Sequence, residues 1–143
     1  MRLVRAIALA MLALVALPAH ANETAFAQAV ETGAWQGCVF EEGYDPYPII
    51  LTPRGEDFFV SYPHLECIGG HNVDVRPQGY DAVEIMVIDT GHQCTTNSPL
   101  EYTLQPDGLR IDYFADEIGT YALLRPAPPG APPPVCNTPE ATS

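Results

Sequence analysis

The sequence predicts an all-β domain: a small antiparallel up-and-down β-barrel of about eight strands, with a short N-terminal helix and a proline-rich C-terminal tail. Three observations predict it. Turn residues recur roughly every 8–12 positions between residues 33 and 125, the spacing of short strands in a sandwich or barrel. Apolar and polar residues alternate between the turns, as in Leu100-Glu101-Tyr102-Thr103-Leu104-Gln105. Neighbouring segments also read as hairpins, which selects a meander closing on itself.

Residues 1–21 read as a secretion signal. Arg2 and Arg5 form a basic start, Ala6 to Leu17 an apolar run, and Ala19-His20-Ala21 a small-x-small cleavage site. The run falls short of the about 20 residues that a membrane-spanning helix needs. No cysteine follows Ala21 to take a lipid, so the expected mature chain starts at Asn22 in a secreted or periplasmic setting.

Residues 22–32 suit a short helix, with Asn22 as N-cap, Ala25, Phe26, Ala29 and Val30 at helical spacing, and Gly33 as its end. The first strand is Ala34–Glu41, followed by the acidic loop Glu42-Gly43-Tyr44-Asp45. Pro46–Thr52 is next, and Arg54-Gly55 turns it into Asp57–Tyr62, rich in the aromatic and β-branched types that fit a pleated surface. Pro63 ends that strand because it has no N–H to give to a ladder. Cys67–Val75 and Tyr80–Thr90 flank the turn Arg76-Pro77-Gln78-Gly79. Pro106-Asp107-Gly108 is a hairpin turn between Leu100–Gln105 and Leu109–Tyr113, proline presetting φ and glycine supplying positive φ. Ile118–Arg125 completes the barrel, residues 33–125. Residues 126–143 contain seven prolines and read as a polyproline-like spacer, with Cys136 carrying a tether back to the body.

Cys38, Cys67, Cys94 and Cys136 form an even set, which in an oxidising compartment favours two disulfides. Of the three possible pairings, Cys67–Cys94 is the local one, because these residues bracket one hairpin; Cys38–Cys136 remains. Placing Cys67 opposite Cys94 puts Val73 against Ile88 and Val75 against Met86 on one buried face, with Glu84 at the turn, where it reaches water. The same register sets His71 opposite Thr90 and His92 opposite Gly69, with His64 nearby. A three-histidine site for zinc or copper, helped by Glu66, is one reading; histidines hydrogen-bonded at a barrel rim are the other. No CxxC or other close cysteine pair supports redox catalysis or a structural zinc.

Removing residues 1–21 takes two of the six basic residues and none of the 18 acidic ones, which leaves a formal charge of −14. Lysine is absent. Such a surface cannot neutralise phosphates, so nucleic acid is excluded as a partner, and anionic membranes are disfavoured. It attracts a basic protein or a cation.

Gly33-Ala34-Trp35 in the first strand, with Arg125 closing the last, resembles the signature of the lipocalin and calycin barrels. That resemblance implies Trp35 at the barrel base, covered by Arg125 in a cation–π stack. A second pattern covers most of residues 33–125: Trp35-x-Gly37, Tyr47-Pro48-Ile49-x-Leu51, Val60-x-Tyr62-Pro63-x-Leu65-x-Cys67-x-Gly69, Gly91-x-x-Cys94 and Ala122-x-Leu124-Arg125. It resembles a recurring group of small secreted bacterial β-domains, and implies the fold and the Cys67–Cys94 pairing without an activity.

No nucleophile elbow, HExxH or phosphate loop occurs, so a non-enzymatic binding protein is expected. Acid and aromatic residues cluster in two stretches: Glu41, Glu42, Tyr44 and Asp45, and Asp112, Tyr113, Phe114, Asp116 and Glu117. Charge there would steer encounter and the rings would anchor an interface, as in an inhibitor or sequestering factor for a basic hydrolase. The alternatives are a carrier of a small apolar ligand inside the barrel, and a metal-binding or structural envelope protein.

Overall fold

The computed structural model describes residues 33–137 apart from 56, 77–78 and 116–118. The expected signal, the helix over residues 22–32, the tail end after residue 137, and Asp116 and Glu117 lie outside the described residues. Eight strands follow one another: β1 (Ala34–Phe40), β2 (Tyr47–Arg54), β3 (Asp57–Tyr62), β4 (Cys67–Arg76), β5 (Gly79–Asp89), β6 (Ser98–Gln105), β7 (Gly108–Tyr113) and β8 (Tyr121–Ala127). Each pairs antiparallel with the next, and β1 pairs with β8, so the sheet is a closed barrel in strict sequence order. Closure leaves no edge strand with unpaired backbone groups.

Period-2 alternation decides what fills it. Trp35, Val39, Ile49, Leu51, Phe58, Val60, Tyr62, Leu100, Tyr102, Leu109, Ile111, Ala122 and Leu124 point inward and are buried. Fully burying one such large apolar side chain contributes about 1.5–3 kcal/mol. Side chains rather than a lumen occupy the middle of the barrel, as in other eight-stranded closures. At Gly37 the first and last strands approach closely: a Cβ there would sit 1.8 Å from the Leu123 carbonyl oxygen. Glycine is therefore required where the barrel closes.

Two disulfides join Cys38 to Cys136 and Cys67 to Cys94. The first brings the proline-rich tail across the outer face of β1 and β2, where the Gln36 side-chain amide donates to the Ala131 carbonyl at 2.9 Å. The register behind the second differs from the expectation. Val73 faces Ala82 rather than Ile88, Val75 pairs with Tyr80 rather than Met86, and His71 faces Glu84 rather than Thr90. The hairpin closes at Arg76↔Gly79, and β5 ends at Asp89 opposite Cys67. Cys94 thus reaches Cys67 from the β5–β6 loop and not from a rung of the ladder. A bulge between Ile68 and Gly69 turns Ile88 to the outer face, where it is exposed beside Val87.

Trp35 and Arg125 lie on the neighbouring strands β1 and β8, towards the same end of the barrel. Arg125 pairs with Gln36 and is exposed on the outer face, whereas Trp35 points inward opposite Leu51 and Pro126. The Arg110 guanidinium lies 4.3 Å from the Tyr121 ring centroid on the outside of the barrel.

Candidate functional site

The loops after β1, β3, β5 and β7 all emerge at one end of the barrel, so the acidic stretch Glu41–Asp45 and Phe114 lie at the same end. Beneath them the core turns polar. Glu84 on β5 is 4% exposed and His71 on β4 is fully buried, so the expectation that Glu84 reaches water at a turn is overturned. Its parity explains this: Glu84 falls between Ala82 and Met86 on the inward face of β5.

A hydrogen-bonded chain runs through these residues. The Tyr62 hydroxyl donates to Glu84 Oε2 and lies 2.9 Å from the Tyr113 hydroxyl. His71 Nε2 stands 2.8 Å from the same carboxylate oxygen, and its Nδ1 meets the Tyr102 hydroxyl. One proton arrangement satisfies every group: Tyr113 donates to Tyr62, Tyr62 and His71 Nε2–H donate to Glu84, and Tyr102 donates to His71 Nδ1. Burial, reinforced by neighbouring tyrosines and by Glu84, holds the Tyr62, Tyr102 and Tyr113 hydroxyls well above their ordinary value of 10.0. All three remain neutral hydrogen-bonding groups across the physiological range.

Above this chain the barrel opens into a cavity of about 80 Å³, whose lining includes Glu84, Tyr62, Tyr113, Ser98 and Thr120. Thr120 is 7% exposed, and its Oγ1 has no hydrogen-bond partner among the described residues. The Thr120 backbone is fixed, since its carbonyl accepts the Tyr113 N–H at 3.0 Å. A wider groove of about 690 Å³ lies outside, bordered by Tyr44, Asp45, Pro46, His64 and His92. Glu41, Tyr47, Leu65 and Gln93 line both, so the groove and the cavity share a wall. The Tyr47 hydroxyl donates to Glu41 Oε2 at 3.2 Å, which orients that acid at the lip.

Sequence-predicted site residues divide accordingly. Glu41, Glu42, Tyr44 and Asp45 surround the open end, with Tyr44 68% exposed, and Phe114 is exposed on the β7–β8 loop. Tyr113 instead turns inward to the hydrogen-bonded chain. Asp112 lies on the outer wall, held 2.6 Å from Arg110. The three histidines do not converge: His71 is inside the barrel with both nitrogens hydrogen-bonded, while His64 and His92 are exposed at the groove. Among the described residues, the one convergent set of three potential metal ligands is Cys67, Asp89 and Cys94. Both of its sulfurs are in the disulfide, and Asp89 accepts the backbone N–H of Gln93 at 3.0 Å. Tyr62, Glu84, Tyr102 and Thr120 were not singled out by the sequence. The inward parity of Glu84 was the available signal, whereas nothing local marks Thr120.

Comparison with protein-family models, curated proteins and solved structures finds no match.

Proposed function

We propose that this is a secreted or periplasmic binding protein that captures a basic protein partner at the loop end of its barrel. One observation carries the reading: Glu41, Tyr44 and Asp45 border a groove that continues into a cavity walled by Glu84 and tyrosine hydroxyls. Acidic groups at the rim steer a positively charged partner, and Tyr44 supplies exposed aromatic area for contact. The two disulfides suit an oxidising compartment. A carrier role inside the barrel is less well served, since ligand pockets usually measure about 300–1,000 Å³ and the mouth cavity measures about 80 Å³.

Affinity measured against a basic lysozyme and a basic protease tests this reading. Binding should fall steeply with salt, as the Debye length drops from about 10 Å at 0.1 M to about 3 Å at 1 M. Glu41→Gln with Asp45→Asn should weaken it, whereas Asp74→Asn with Asp107→Asn, equal in charge but away from the loop end, should not. Equal effects from the two pairs would reduce the interaction to net charge and defeat the proposal.

A further inference from the structure

We propose that the cavity at the barrel mouth receives one guanidinium group, supplied by an arginine side chain of the docked partner. This rests on the loop end being the docking face, and adds which side chain enters and where.

The wall is built of acceptors. Glu84 and Glu41 contribute carboxylates, and Tyr62, Tyr113, Ser98 and Thr120 contribute hydroxyl oxygens. Among the described residues, no cationic side chain lines it. Arg54, Arg76 and Arg125 lie on strand segments next to the opposite end, and Arg110 is paired with Asp112. An anion would find no counter-charge here. A guanidinium carries five N–H donors in a planar fork and no acceptor, which is the complement of this wall.

Thr120 points to a ligand independently of the acids. A buried hydroxyl without a partner among the described residues destabilises the free protein, and Thr120 is one of the cavity's lining residues, so a turn about its Cα–Cβ bond brings Oγ1 to the cavity. An N–H donor arriving in the cavity would satisfy it. Glu84 Oε2 already accepts from Tyr62 and His71, but a carboxylate offers about four acceptor sites, so it can take a further donor.

Shape narrows the class. A volume of about 80 Å³ admits a small head group, not a sugar ring or an acyl chain. The head must therefore arrive on a thin stalk. The shared wall of Glu41, Tyr47, Leu65 and Gln93 gives such a stalk an apolar contact at Leu65. Tyr47 and Tyr62, edge to face with centroids 6.1 Å apart, offer ring surface to a flat cation. These features favour arginine over lysine, whose ammonium is a compact, strongly hydrated point charge.

The test is an NMR titration of the disulfide-bonded protein at low salt with three probes: N-acetyl-arginine amide, N-acetyl-lysine amide and N-acetyl-citrulline amide. The arginine probe should produce saturable shifts at Tyr62, Glu84, Tyr113 and Thr120. The lysine probe should bind at least several-fold more weakly, and the uncharged citrulline probe should leave these signals in place. Thr120→Val keeps the shape and removes the orphan hydroxyl, so it should hold or raise the melting temperature while weakening the arginine probe at least several-fold. Equal binding of citrulline or lysine, no saturable shift with arginine, or an unchanged response in Thr120→Val would each overturn the inference. If basic proteins still dock at the rim in those cases, the docking reading survives alone. If they do not, both readings fall.

Discussion

His71 and Glu84 are directly opposed across the β4–β5 ladder, both inside the barrel, with Nε2 and Oε2 2.8 Å apart. The pair joins the two halves of the polar chain, Tyr102 on one side and Tyr62 with Tyr113 on the other. A buried acid in an otherwise apolar barrel is tolerable because each contact group donates to it or relays to a donor.

Breaking that pair should be costly. His71→Ala removes a donor to Glu84 and the Tyr102–His71 hydrogen bond and empties a buried volume, and should lower stability by more than about 3 kcal/mol. Tyr102→Phe removes one end of the chain and should lower it by about 1–3 kcal/mol. Urea unfolding of both variants checks the order; a His71→Ala protein as stable as the wild type would contradict it.

Alkaline titration should show three retarded tyrosines. Folded-state values raised above 10.0 at Tyr62, Tyr102 and Tyr113 mean that the native protein holds these protons after the unfolded chain has lost them. Their contribution is fully present below about pH 10 and declines as pH rises through the folded values, by about 1.36 kcal/mol per pH unit for each group. Absorbance at the tyrosinate band should report three of the seven tyrosines ionising only as the fold is lost. Early, reversible ionisation of all seven would contradict it.

Cys136→Ser should release the tail and leave the barrel standing. The Cys38–Cys136 bridge spans 98 positions, and closing a loop of about 100 residues restricts the unfolded chain by about 4.7 kcal/mol in the chain-entropy account. The melting temperature should fall, and residues after Ala127 should become protease-sensitive, with the β circular dichroism kept. Loss of that β signal at room temperature would show that the tail is part of the core.

Much of the fold was legible because hairpins are local. The Pro106-Asp107-Gly108 turn appears as Gln105↔Gly108 closing β6 onto β7, with Leu109 and Ile111 inward as their alternation required. Gly108 does not take the expected positive φ; it opens β7 where a Cβ would sit 2.3 Å from the Leu124 carbonyl oxygen. The β4–β5 register differs from the expected one because the Cys67–Cys94 disulfide is not a rung of the ladder. The pair Arg76↔Gly79 closes the hairpin and sets the register, and Cys94, the fifth residue after β5, reaches Cys67 from the loop. A slip of six is even, so it kept His71 on the inner face but gave it Glu84 for a partner.

The site was less legible because it is assembled across the barrel. Tyr62 and Tyr113 meet 51 residues apart, and His71 and Tyr102 meet 31 apart. Period-2 parity says that such groups point inward; it does not say which of them touch. Closure of β1 on β8 sets that cross-section, and the close approach at Gly37 is its visible trace in the chain. The acidic loop Glu41–Asp45, by contrast, was readable from composition alone.

Backbone amide shift mapping with a basic lysozyme at low salt tests the central claim most directly. Docking at the loop end predicts perturbations centred on residues 41–47, 63–66, 90–97, 113–115 and 119–120, fading as salt is added. Perturbations centred on the exposed apolar wall around Phe59, Ile68 and Val87, or none at any salt concentration, would contradict it.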